Sequence, residues 1–209
     1  MTSVAHSHAG SDQTDPRWIF LNSVKLGLLE AGAVLLLSFA SRNLEGIPES
    51  VVEALILVPA LAAVTLLPGR WSKARSIEGI AGAAGIGLGA ALVFLVVDVS
   101  LLQPIGTYTF RWRAIGGGSN WWYHPVWWMV GCYISWLGAW IQARHSATRG
   151  APSVPGLLAT VWGLTVFCAV AGILSRVPGA GWNLPTFGIA YLPGLALATL
   201  VTSLGSRRA

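Results

Sequence analysis

The chain has 209 residues, of which 54% are hydrophobic and only 10% charged, with a mean hydropathy of +0.64. Soluble domains carry about 25% charged residues, so a water-soluble globule, a disordered chain and a disulfide scaffold are excluded and an integral membrane protein is left. The formal net charge of +5 does not point to nucleic acid, because its cations are distributed along short connections as a topology signal.

A bilayer crossing takes about 20 apolar residues. Six stretches meet that need: Ile19–Ala40, Ser50–Leu67, Ile77–Leu102, Pro125–Ala143, Pro155–Ser175 and Leu184–Leu204. Six crossings put both tails and the second and fourth loops on one side. That side holds eight cations (Arg17, Arg70, Lys73, Arg75, Arg144, Arg149, Arg207, Arg208), against four opposite (Arg42, Arg111, Arg113, Arg176). An excess of Arg and Lys in short loops marks the cytoplasm. The expected fold is therefore an all-α integral membrane protein, a bundle of six transmembrane helices with N- and C-termini cytoplasmic, in the inner (plasma) membrane of a bacterium. Its parts are a disordered tail over residues 1–16, one six-helix domain over 17–205 and a short basic tail over 206–209. The first 40 residues do not read as a secretory signal, since Asp12 and Asp15 precede the apolar run and Glu30 interrupts it.

Span 1 carries Lys25 near its start and Glu30 about 16 Å in, near the bilayer centre. Ionisable groups at that depth cost about 3 kcal/mol or more and are functional candidates by default. Ser23, Gly27, Glu30 and Ser38 share one face, which suits a proton or cation relay, a ligand anchor, or a protonated carboxyl bonded to a neighbouring helix. Span 2 opens near Glu53, where a carboxylate suits the helix dipole, and contains Pro59. Span 3 has two series of small residues at four-residue spacing, Ala81–Gly85–Gly89 and Ala83–Gly87–Ala91. Small residues at that spacing let helix backbones approach closely, so this span is expected at the centre of the bundle. Asp98, at its far end, is expected to pair with Arg111 or Arg113 or to cap the bundle.

The third loop ends in Trp121-Trp122-Tyr123-His124, and span 4 begins Pro125-Val126-Trp127-Trp128. Such a cluster marks a membrane–water interface, where the rings are half buried and their N–H groups meet water. Arg111, Arg113 and His124 stand with Trp121, Trp122, Trp127 and Trp128 as the outer-interface candidates. Along span 4, Trp128, Cys132, Trp136 and Trp140 form an aromatic stripe, while Gly131, Ser135 and Gly138 form a small-residue face expected to pack inward. The aromatic stripe then meets lipid, a partner subunit, or a flat bound lipid, quinone or pigment. Cys132 and Cys168 lie at similar depth on consecutive spans and build no external disulfide framework. Pro193 interrupts span 6.

No catalytic residue and no metal site is expected. His124 and His145 fall at opposite ends of span 4, about 30 Å apart, and His6 and His8 lie in the tail, so the paired ligands of a transmembrane di-haem are missing. Gly85-Ile86-Gly87-Leu88-Gly89-Ala90 imitates part of a dinucleotide fingerprint, but it follows no strand. The reading that fits best is a non-catalytic structural or accessory subunit of a larger integral-membrane complex, respiratory or photosynthetic for example. Its partners are other integral-membrane subunits and membrane lipids, and its contacts are the helix-packing glycines Gly85, Gly87, Gly89, Gly131 and Gly138 and the Trp-rich faces. The alternatives are a proton- or cation-coupled transporter working through Glu30, with Pro59 and Pro193 as helix breaks, and an intramembrane enzyme with His124, Arg111 and Arg113 at its mouth, acting on a lipid or quinone.

Overall fold

In the computed structural model, residues 12–108, 123–149 and 154–205 are described. They form six α-helices: α1 Pro16–Asn43, α2 Ile47–Trp71, α3 Ile77–Val97, α4 Tyr123–Arg149, α5 Val154–Leu174 and α6 Leu184–Gly205. Among the described residues there is no strand. Five helices, counting α3 with the π-helical turn Asp98–Leu102 that extends it, are long and apolar enough to cross a membrane. The sixth, α4, spans 27 residues, long enough to cross, but is less apolar because its sequence carries Trp, Tyr, His and Gln. The chain is thus an all-α, multi-pass membrane-type protein.

Local signals explain most helix ends. Asp15 caps α1, its carboxylate accepting from the N–H groups of Arg17 (2.8 Å) and Trp18 (3.1 Å), with Pro16 in the first turn where its missing N–H costs nothing. Ser76 caps α3 by accepting from Glu78 N–H. Glu49 occupies the first turn of α2, the dipole position expected of Glu53, which lies a turn further in. Helices α2 and α5 both close with the paired bonds of a Schellman turn: Ala74 N–H to Gly69 C=O with Lys73 N–H to Arg70 C=O, and Val177 N–H to Gly172 C=O with Arg176 N–H to Ile173 C=O. The left-handed residue in each is a cation, Lys73 (φ 50°) and Arg176 (φ 54°), where glycine is usual. A cation beside the last carbonyls offsets part of that strain through the helix dipole.

The stretch just before α1 is ordered rather than a loose tail. Gln13 N–H donates to Ser72 C=O (2.7 Å), and the Asp12 carboxylate accepts from the backbone N–H groups of Arg75, Ser76 and Gly79, each at 3.0 Å, and from the Ser76 hydroxyl. Residues 12–15 therefore pin the start of α3, whereas a disordered segment reaching residue 16 was expected.

The core draws on all six helices, with Leu26, Val64, Ile86, Ile134, Leu157 and Tyr191 each buried in one cluster. As expected, α3 is central: it packs between α1 and α4 and also touches α2. Helix α5 packs on α6, and α6 on α4. Connections alternate in direction, since Trp18 at the start of α1 donates from Nε1 to Trp71 C=O at the end of α2 (2.9 Å), and Trp140 near the end of α4 donates to Ser203 Oγ near the end of α6 (3.1 Å).

Candidate functional site

The close α1–α3, α3–α4, α2–α4 and α5–α6 contacts each involve a glycine. A Cβ on Gly87 of α3 would collide with Ser135 and with the Gly131 carbonyl of α4, and one on Gly131 would lie 2.9 Å from the Gly87 carbonyl. Between α1 and α3, a Cβ on Gly27 would lie 2.6 Å from the Ala90 carbonyl oxygen, and one on Gly89 would collide with Ser23. Of the two series on α3, Ala83–Gly87–Ala91 is buried against α4. The other is no continuous interface: Ala81 is exposed, and a Cβ on Gly85 would meet only Ile19 Cγ2 at an ordinary 3.8 Å. Helical spacing makes both series equivalent, and only the packing partner distinguishes them.

The α2–α4 seam was not anticipated from the sequence. Pro68 lacks the N–H that would bond the Val64 carbonyl four residues back. The Ser135 hydroxyl of α4 takes that place at 3.3 Å. A residue away, Gly138 lets α4 sit directly on the Thr65 carbonyl, and the Gln142 amide donates both hydrogens, to Leu66 C=O and to Gly138 C=O, each at 3.2 Å. Thr65 bonds the Leu61 carbonyl (2.7 Å) and the Tyr191 hydroxyl of α6 (2.6 Å). One proton arrangement satisfies all three groups: Thr65 donates to Leu61 and Tyr191 donates to Thr65. Thr65, Ser135 and Tyr191 are each 0% exposed. Polar residues within an apolar helix near a proline are the signal that could have located this seam, since a freed carbonyl in lipid needs a donor from a neighbour.

The same helices run unbroken through Pro59, Pro68 and Pro193. The breaks expected at Pro59 and Pro193 are therefore not present. Glu30 is half-buried on α1, one turn beyond Gly27, and has no hydrogen-bond or ion-pair partner among the described residues. Ser23 and Ser38, expected on its face, are buried and engaged elsewhere, Ser23 with the Ile19 and Ile86 carbonyls (2.9 and 3.3 Å) and Ser38 with Thr107 C=O. Lys25 is exposed, its ammonium 5.8 Å from the Trp18 ring.

Asp98 caps the end of α3. It is 6% exposed and accepts from Gln103 Nε2 (2.6 Å) and from the Tyr108 hydroxyl, and its carbonyl accepts from Gln103 N–H (2.9 Å). Burial, followed by the Asp98 bond and charge, holds the Tyr108 phenol well above its ordinary range. Residues 103–108 are tied to α1 as well, through Ser38 to Thr107 C=O and Arg42 to Gly106 C=O. Arg111, Arg113, Trp121 and Trp122 lie outside the described residues. So does the side chain of His124, although its backbone starts α4.

Trp127, Trp128 and Trp136 are 49%, 36% and 43% exposed, so that part of the aromatic face looks outward. Trp140 leaves the stripe: its ring carries Arg144 at 5.3 Å and its N–H is bonded to Ser203. Cys132 and Cys168 are free thiols on helices that are not close packing neighbours. No group of three or more His, Cys, Asp or Glu placed to hold a metal occurs among the described residues. No protein family, curated protein or solved structure matches the chain.

Proposed function

We propose that the protein is a non-catalytic subunit of a larger integral-membrane assembly, crossing the bilayer six times with both termini in the cytoplasm, and that it holds partner helices through small-residue faces. One observation carries this reading. The glycines of the close helix contacts, Gly27, Gly69, Gly87, Gly89, Gly131, Gly138 and Gly194, each have another helix pressed on them. Yet α5 turns Gly156, Ala159, Thr160 and Gly163 outward, and a Cβ on Gly163 would meet nothing within 4 Å. In lipid, association depends on close packing rather than on the hydrophobic effect, and small residues four apart favour it. Pairs such as Ala159 with Gly163 supply on the outside what the bundle uses inside. The interior polar groups support the same reading, because Ser23, Thr65, Ser135, Gln142 and Asp98 are bonded within the fold. The occupant is a transmembrane helix of another polypeptide.

Purification in mild detergent tests this. Wild type is expected to carry further membrane polypeptides, and Gly163→Leu to lose them while keeping its own fold. Recovery of this polypeptide alone, with no companion, would overturn the proposal.

A second reading is favoured by Glu30, an unpaired carboxyl among the described residues at mid-helix depth. It predicts a pH- or cation-dependent flux that Glu30→Gln abolishes without affecting assembly; a flux unchanged by the substitution rejects it.

A further inference from the structure

Where α2 ends and α5 begins, the bundle forms a half-open cavity of about 270 Å³. Arg70, Lys73 and Arg75 line it on one side, Gln142 and Ser146 on another, and Leu66, Val154 and Leu157 form its apolar wall. Among the described residues no carboxylate lines it, and none of the three cations has an ion-pair partner there. The acids beside Arg75, Asp12 and Glu78, are both engaged at the start of α3, Asp12 by the N–H groups of Arg75, Ser76 and Gly79 and by the Ser76 hydroxyl, Glu78 by the Ser76 hydroxyl. For Asp12 the bonds decide its charge state. Burial alone would raise its carboxyl, but the Ser76 hydroxyl and the N–H groups of Arg75, Ser76 and Gly79 outweigh that and hold it below the usual range.

Three charges over an apolar floor, at the level where the helices leave their apolar stretch, match one chemistry. We propose that this cavity binds the phosphate of an anionic phospholipid headgroup, with the upper acyl chain leaving past the partly exposed Val154. Basic pockets between transmembrane helices recognise such headgroups, each nearby cation contributing about five-fold in affinity. The volume falls just under the range of about 300–1,000 Å³ for sites that enclose a whole drug-sized ligand, which suits a headgroup whose tails stay in the bilayer. The inference is independent of the subunit reading, since it concerns lipid and not polypeptide partners.

The test is native mass spectrometry of the full chain in mild detergent, titrated with phosphatidylglycerol, phosphatidylcholine or inorganic phosphate. Wild type is expected to retain phosphatidylglycerol preferentially. The triple variant Arg70→Gln, Lys73→Gln, Arg75→Gln should weaken it about 100-fold, while Arg176→Gln at the other end of the bundle changes nothing. Two single variants guard against misfolding of the triple. Lys73→Gly relieves the left-handed backbone at φ 50°, so it should fold at least as well as wild type yet bind about five-fold more weakly. Ser146→Trp fills the cavity from its exposed rim and should block binding without altering charge. Equal retention of phosphatidylcholine, unchanged binding by Lys73→Gly and Ser146→Trp, or full competition by inorganic phosphate would each overturn the lipid assignment.

Discussion

Gly138→Ala is the sharpest perturbation of the α2–α4 seam. The added Cβ would collide with the Thr65 carbonyl oxygen and lie 2.8 Å from both Thr65 C and Thr65 Cγ2. Two of those atoms are backbone, so neither can rotate away and the helices must separate. Overpacking of this kind costs about 1–3 kcal/mol. Separation also stretches the Ser135 bond to Val64 C=O and the Gln142 bond to Leu66 C=O, already at 3.3 and 3.2 Å. Interhelical bonds in membranes are worth about 0.6 kcal/mol each, so the expected total is about 2–4 kcal/mol. Gly163→Ala is the control, with open space around its Cβ; its expected effect is under about 0.5 kcal/mol in the isolated chain. Reversible unfolding of the detergent-solubilised chain, read by Trp fluorescence and circular dichroism against a denaturing detergent, measures both. Equal stabilities for the two alanine variants would refute the argument that the glycine at 138 is there for backbone contact.

Thr65→Val leaves the Tyr191 hydroxyl buried without its 2.6 Å partner and should cost about 1–2 kcal/mol in the same assay, with Tyr191→Phe recovering much of the loss in the double variant. Asp12→Asn should lower hydrogen-exchange protection at the N–H groups of Arg75, Ser76 and Gly79. Because the Asp12 carboxyl is held below its ordinary value, its contribution in wild type is present above the unfolded pKa of about 3.9 and is lost as pH falls below it. Tyr108 has the opposite sign: its phenol is raised, so its contribution is full below the unfolded pKa of about 10 and declines above it. A stability–pH profile should therefore be flat on this account through pH 9 or so and fall beyond about 10, and Tyr108→Phe should remove that alkaline limb.

Much of the fold is legible in the sequence because membrane helices declare themselves by length and apolarity. The stretches Ile19–Ala40, Ser50–Leu67, Pro125–Ala143 and Leu184–Leu204 fall inside α1, α2, α4 and α6, Ile77–Leu102 coincides with α3 and its π-helical turn, and Pro155–Ser175 is offset from α5 by one residue. The inward face of α4 was equally visible, since Gly131, Ser135 and Gly138 lie on one side of the helix and only small residues permit close packing. The candidate polar residues were legible as identities but not as contacts. Asp98 was expected at the end of the bundle, yet its partners Gln103 and Tyr108 come from a turn that no periodicity describes.

What the sequence determines by itself is the class of protein, the apolar stretches that become helices and the faces each can offer. Helical spacing places Ala81, Gly85 and Gly89 on one line and Ala83, Gly87 and Ala91 on another, and it stops there. Which line meets a neighbour depends on how six helices rotate together to fill one core, a global condition that no single helix encodes. The tertiary structure alone chose the second series, set Ser135 beside the carbonyl that Pro68 frees, and kept Trp140 from the open face. It also turned Arg70, Lys73 and Arg75, legible only as a count of charges, into the wall of a cavity, because the turn after α2 folds them against the start of α5.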